Sequence, residues 1–277
     1  RLSKGRLKEC RKVLQKIEPE NTVNDLIGQM EVEIEKDRNS AVGWRYLMQP
    51  WLRTPLMIAV CIMFFQQFVG INTVIYYSPK IFLMAGFEST LSAIWASVGI
   101  GIVNVVFTVI SLYLVDRIGR RKLYFIGLSG IAFSVLCLSA CFIYANQLGE
   151  IGRWLMVIFM FGYVAFFAIS IGPLGWLVIS EIFPQKVRGL GTSIGSLAVW
   201  IFNCIVSFTF FKIIDFFSIP GTEIVVGQTT SENPAGAFFL YGFIAVLGLV
   251  WGYLFLPETK GLSLEEIEQK WRKNREC

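Results

Sequence analysis

Six stretches of this 277-residue chain carry no charge at all, and each is longer than the roughly 20 residues a helix needs to cross a bilayer. They lie between Arg53 and Lys80, Glu88 and Asp116, Lys122 and Glu150, Arg153 and Glu181, Arg188 and Lys212, and Glu232 and Glu258. Hydrophobic residues make up 55% of the chain and charged residues only 16%, too little charge for a water-soluble domain of this length. In lipid each segment must satisfy its own backbone hydrogen bonds, so the segments are helices. The expectation is an all-α membrane protein with six transmembrane helices, over 54–79, 89–115, 123–145, 153–179, 190–214 and 235–256.

The basic residues orient those spans. The first 53 residues, the second–third connection (Arg117, Arg120, Arg121, Lys122), the fourth–fifth connection (Lys186, Arg188) and the tail hold nearly all of the 25 Lys and Arg. Only Lys80, Arg153 and Lys212 fall on the other side. The positive-inside rule then puts both termini in the cytoplasm. The net charge of +5 is a topology signal and not a nucleic-acid footprint.

Residues 1–52 read as an intracellular helical segment. Leu7, Cys10, Val13, Leu14 and Ile17 recur at helical spacing up to Pro19, and Val23, Leu26, Ile27, Met30 and Ile34 form a second stripe. Two short cytoplasmic amphipathic helices should therefore precede the six-helix bundle at 53–256. A tail follows at 257–277, with a capping box at Ser263 and Glu266. The start at Arg1, without Met or signal peptide, reads as a fragment of something longer. Cys10, Cys61, Cys137, Cys141, Cys204 and Cys277 form no Cys-x-x-Cys pair and are expected as free thiols. With no His there is no imidazole relay and no His metal site; no metal or cofactor is expected.

Two spans carry polar or helix-breaking residues. The first holds Gln66-Gln67-Phe68-Val69-Gly70-Ile71-Asn72 and Tyr76-Tyr77. Primary amides in hydrocarbon must be hydrogen-bonded, and they offer a donor and an acceptor that a sugar hydroxyl can use. On an ideal helix Gln67 and Asn72 point about 140° apart, at 100° per residue. They can meet one small ligand only if the helix opens between them, and Gly70 is the natural place. The fourth span contains Gly172-Pro173-Leu174-Gly175-Trp176, where a second break is expected. Interrupted helices near the midplane point to a transporter binding site.

The ordered set of motifs resembles the carboxy-terminal half of a sugar porter of the major facilitator superfamily. The set runs from the Gln66–Asn72 motif through Gly101-Ile102-Val103-Asn104, Asp116-Arg117-Ile118-Gly119-Arg120-Arg121 and Gly172–Trp176. It continues with Glu181-Ile182-Phe183-Pro184, Arg188-Gly189, Trp200-Ile201-Phe202-Asn203 and Pro257-Glu258-Thr259-Lys260-Gly261. That family comprises glucose facilitators and sugar/proton symporters, built from two six-helix bundles around a central site.

The resemblance implies one such bundle here, with an amino-terminal six-helix bundle of the same carrier as its partner. It implies a monosaccharide substrate, a multi-pass location in the plasma (inner) membrane, and protons as coupling ion in the symporting members. Substrate binding falls to Gln66, Gln67, Asn72, Asn104, Trp176, Trp200 and Asn203, with Trp176 near the cytoplasmic end of its span. Tyr76 and Tyr77 match an outer gate. Asp116, Arg117, Arg120, Arg121, Glu181 and Arg188 match a cytoplasmic charge network, with Gly119 permitting a tight turn. Val199 departs from an amide found in several members. No membrane-embedded carboxylate is present to couple protons.

The implied function is transport of a hexose or pentose by alternating access, without enzymatic chemistry. A membrane sugar sensor that does not transport, or a half-carrier needing a partner bundle, are the alternatives. No catalytic residue is expected.

Overall fold

The computed structural model describes residues 47–87, 89–218, 224–226, 229–261, 266–267 and 271. The amphipathic helices expected before residue 47, and the capping box at Ser263, lie outside the described residues. The chain divides into two compact units, 1–49 and 50–277, and the second holds every element below.

Among the described residues eight helices follow in order. They are α1 (Arg53–Phe68), α2 (Ile71–Met84), α3 (Thr90–Ile118), α4 (Arg120–Ile143), α5 (Ala145–Ile169), α6 (Ile171–Ile182), α7 (Arg188–Phe216) and α8 (Ala235–Phe255). Short 3-10 turns at Pro50–Leu52 and Gln185–Val187 lead into α1 and α7. Taken with their continuations, α1–α2 and α5–α6 each form one interrupted span. That leaves, among the described residues, six helical stretches long and apolar enough to cross a membrane. The loop after α7 adds a feature not expected from the sequence: Ile224–Val226 (β1) pairs antiparallel with Thr229–Ser231 (β2).

α4 is the central packing element, lying against α5 and α8. Its contact with α8 is close because α8 presents glycines to it. A Cβ at Gly252 would come within 2.4 Å of the Tyr124 ring, and one at Gly248 within 2.7 Å of Leu128. Small residues of this kind let membrane helices approach and gain dispersion contact. Hydrogen bonds stitch the same pair. Tyr124 Oη donates to the Gly248 carbonyl (3.0 Å), Ser139 Oγ to the Ala235 carbonyl (2.8 Å) and Asn233 Nδ2 to the Phe142 carbonyl (2.9 Å). α1 packs on α7, and α3 on α2 and α5.

α3 keeps most of its surface uncovered. Leu91, Ile94, Trp95, Val98, Ile102, Val105, Val109 and Leu112 form an exposed apolar row at helical spacing. α7 carries a similar face through Leu197, Trp200, Ile201, Ile205 and Phe208. Cys61, Cys137, Cys141 and Cys204 are free thiols.

Candidate functional site

The first helix opens where expected. Gly70 adopts φ 87°, ψ 15°, a left-handed conformation that separates α1 from α2. The turn brings Asn72 back toward Gln67, so that Asn72 Nδ2 donates to Gln67 Oε1 at 2.6 Å. Two side chains that an unbroken helix would splay apart thus touch.

The second opening is not in the glycine–proline motif itself. It lies at Ser170 (φ −126°, ψ −104°), between α5 and α6. Pro173 sits in the first turn of α6, where a helix has no use for its missing N–H. Its ring would instead collide with the carbonyl four residues back, that of Ile169, and α5 ends at that residue.

A chain of amides connects the two openings. Gln66 Nε2 donates to the carbonyls of Ile171 (3.1 Å) and Gly172 (2.7 Å) in the first turn of α6. Gln67 Nε2 in turn approaches Gln66 Oε1 at 3.5 Å. Gly175 makes room for this: a Cβ there would lie 3.1 Å from Gln66 Nε2. Both glutamines are buried, so these bonds offset the cost of removing amides from water.

Around the amides lies a half-open cavity of about 410 Å³. All seven expected binding residues line it: Gln66, Gln67, Asn72, Asn104, Trp176, Trp200 and Asn203. Tyr76 and Val199 line it too. Asn203 Nδ2 donates to Tyr76 Oη at 3.3 Å, while Asn203 Oδ1 accepts from Ser207 (3.1 Å). Asn104 Oδ1 accepts from Thr108 at 3.3 Å. Tyr77 is placed differently from Tyr76. It is absent from the cavity wall and stacks on Phe210, with ring centroids 5.4 Å apart and planes 7° from parallel. Trp176 lies midway along α6 and borders a second cavity of about 480 Å³, which it shares with Ser111, Asp116 and Ser180.

The cavity lining combines amide donors and acceptors with two indoles. Such a lining suits a neutral polyhydroxylated ring, whose hydroxyls bond amides while its C–H face packs on an aromatic. Among the described residues no group of His, Cys, Asp or Glu is placed to hold a metal.

At the charged end of the bundle, Arg120 makes a forked pair with Glu181: Nη2 to Oε1 is 2.8 Å, and Nε lies 3.3 Å from both oxygens. Arg120 Nη1 also reaches Asp116 at 3.2 Å. Thr259 Oγ1 donates to Glu181 Oε2 at 2.6 Å. Glu258 accepts the backbone N–H groups of Arg120 (3.0 Å) and Arg121 (3.1 Å), placing a carboxylate on the free N-terminus of α4. Lys260 Nζ donates to the Arg117 carbonyl (2.7 Å), and Arg121 Nη2 to the Tyr253 carbonyl (2.7 Å).

The residues after α8 are therefore part of this network, joined to it through Glu258, Thr259 and Lys260. Of the charges expected here, the side chains of Asp116, Arg120 and Glu181 meet. Arg117 takes part through its backbone, and Arg121 through its backbone and a carbonyl bond. Arg188 stands apart, its Nε and Nη2 buried without a hydrogen-bond partner among the described residues.

The family model described as "Sugar (and other) transporter" matches residues 1–271. The chain belongs to this sugar porter family of the major facilitator superfamily. Like its relatives it is a multi-pass membrane protein. It is 33% identical over 270 residues to the D-xylose-proton symporter of Escherichia coli (strain K12), covering 98% of this chain and 51% of that protein. It is 38% identical over 229 residues to the glucose transporter GlcP of Staphylococcus epidermidis, covering 83% of this chain and 47% of that protein. Its fold is similar to the proton:xylose symporter XylE bound to 6-bromo-6-deoxy-D-glucose. There the TM-score is 0.73 at 32% identity, over 98% of this chain and 53% of that one. The chain spans about half the length of the curated relatives it matches.

Proposed function

We propose that this chain is the carboxy-terminal half of a sugar carrier that moves a hexose or pentose across the plasma (inner) membrane by alternating access. The observation that carries the proposal is the cavity where two interrupted helices meet, lined by five primary amides and two indoles. Gln67, Asn72, Asn104 and Asn203 bond the ring hydroxyls, Gln66 offers its Oε1, and Trp176 packs on the apolar face. Trp200 also lines the cavity, and Tyr76 covers the outer approach. No bond is made or broken, so the chemistry is that of a carrier and not of an enzyme.

The Arg120–Glu181 fork with Asp116 and Thr259 is the inner-side fastening, holding the ends of α3, α4 and α6 together with the segment after α8. A network that exists in one state and not the other biases the equilibrium between them. Both termini lie in the cytoplasm, as the basic residues require. A proton symporter among its relatives supports protons as the coupling ion, and a facilitated-diffusion protein among them supports transport without one. Among the described residues, carboxylates sit at helix ends and loops and not at mid-span; in a proton-coupled carrier the coupling acid would belong to the amino-terminal bundle.

Coverage of half the relatives' length, with exposed apolar rows on α3 and α7, favours a partner six-helix bundle that completes the cavity. The test is uptake in proteoliposomes, with this chain alone and with a matching amino-terminal bundle, using D-glucose, D-xylose and L-glucose. Uptake selective for a D-sugar, needing the partner and lost in Trp176→Ala, is the expected result. Sugar binding without uptake in either case would replace this reading with that of a sensor.

A further inference from the structure

The two interrupted helices are tied to one another reciprocally. Gln66, in the last turn of α1, donates to the first-turn carbonyls of α6. Tyr163, in α5 before the second opening, donates its hydroxyl to the carbonyl of Val69 at 2.9 Å. That carbonyl is the acceptor the first opening releases. Its helical donor would be the N–H of Thr73, which turns instead to the Gly70 carbonyl at 3.1 Å, with Thr73 Oγ1 joining at 2.7 Å. Tyr163 and Val69 are both 0% exposed, so bulk solvent does not reach this bond.

The consequence reaches the cavity. Gln67 lies before the opening and Asn72 after it, and their 2.6 Å contact depends on the backbone angles at Val69 and Gly70. Tyr163 itself is absent from the cavity wall. We propose that Tyr163 is a positioning residue for substrate binding: through the Val69 carbonyl it holds the opening at the angle that sets Gln67 and Asn72 on one ligand. This rests on the assignment of those amides to the sugar site. It also gives the opened helix a fixed resting geometry in place of a free hinge. A carbonyl left unpaired at this depth drives the backbone to rotate toward another donor, which separates the amides.

The experiment measures equilibrium binding of D-xylose and D-glucose to the carrier reconstituted with its amino-terminal bundle, with L-glucose as blank. Tyr163→Phe removes one oxygen. Its Kd is expected to rise roughly five- to twentyfold, with the number of sites per folded protein unchanged. A residue that only supported the fold would lower the number of sites and leave Kd in place. Replacement of Tyr163 by 4-aminophenylalanine, which keeps a donor on the ring, is expected to restore Kd to within about twofold of the parent. Gln67→Ala serves as reference. If it weakens binding while Tyr163→Phe does not, the positioning role is refuted and the sugar site stands. If neither alters binding, the sugar-site assignment fails and this inference with it. Should Tyr163→Phe yield no folded protein, Thr73→Val strips a second bond from the same opening and is expected to raise Kd likewise; an unchanged Kd there refutes the proposal.

Discussion

Gly70→Ala puts the opened helix to its most direct test, because two separable costs meet at one Cβ. The first is conformational. With φ at 87° and ψ at 15°, an L-side chain crowds its own carbonyl, at about 1–2 kcal/mol. The second is steric. The new methyl would lie 2.3 Å from Cδ2 and Cε2 of Tyr241 and 2.7 Å from Cζ. Carbon atoms settle at roughly 3.5–4.0 Å, so ring or backbone must retreat by more than an ångström. Tyr241 is 2% exposed and packs edge-on to Phe238, so it has little room to do so. Overpacking of this kind costs about 1–3 kcal/mol, and the total is about 2–5 kcal/mol.

The two terms part on a Tyr241→Ala background, where the clash is gone and only the backbone term remains, about 1–2 kcal/mol. Unfolding in mixed SDS micelles, followed by tryptophan fluorescence and circular dichroism, gives all four corners of the cycle. A coupling of about 1–3 kcal/mol between the two substitutions is expected. Equal cost in both backgrounds refutes the steric term. A cost below about 0.5 kcal/mol in both refutes the left-handed opening itself.

Other substitutions probe the ties around the cavity and the rim. Glu181→Gln keeps the shape of the fork and removes its charge; with Arg120 13% and Glu181 21% exposed, a loss of about 1–3 kcal/mol is expected. The same change should speed maleimide labelling of a cysteine introduced at Lys260, and an unaltered rate would count against the inner-side fastening. Gly175→Ala places a methyl 3.1 Å from Gln66 Nε2, tight enough to displace that amide from its bonds, so sugar affinity should fall while the helical content holds. Affinity equal to the parent's would mean Gln66 keeps its bonds by another route. Glu258→Ala uncaps α4 and should lower stability by about 1–2 kcal/mol, read as a drop in Tm. No change in Tm would mean that water serves those N–H groups equally well.

The spans could be read from the chain because charge is excluded from lipid at every position, so a gap in the charges is a purely local signal. The first opening was legible for a similar reason. Two amides five residues apart cannot converge on a regular helix, and only one glycine lies between them. The second opening misled because the sequence shows where the proline is and not where its ring points. Pro173 acts on the carbonyl one turn upstream, and a proline in a first turn leaves its own helix undisturbed.

The remaining partners are long-range. Glu258 meets Arg120 across 138 residues, and Thr259 meets Glu181 across 78. A Pro-Glu-Thr-Lys-Gly motif just beyond the last span could have drawn attention to both, since an anion there can cap a neighbouring helix that begins on the same side.

Tyr163 gave no such warning. A tyrosine in an apolar span serves equally as a packing ring or as a donor, and its acceptor exists only because another helix, 94 residues earlier, is open. That dependence runs one way. The opening at Gly70 frees a carbonyl in any fold that contains it, and burial then demands a donor. The first break, once read from the sequence, therefore requires that some buried hydroxyl or amide serve Val69, though only the placement of Tyr163 beside that carbonyl reveals which.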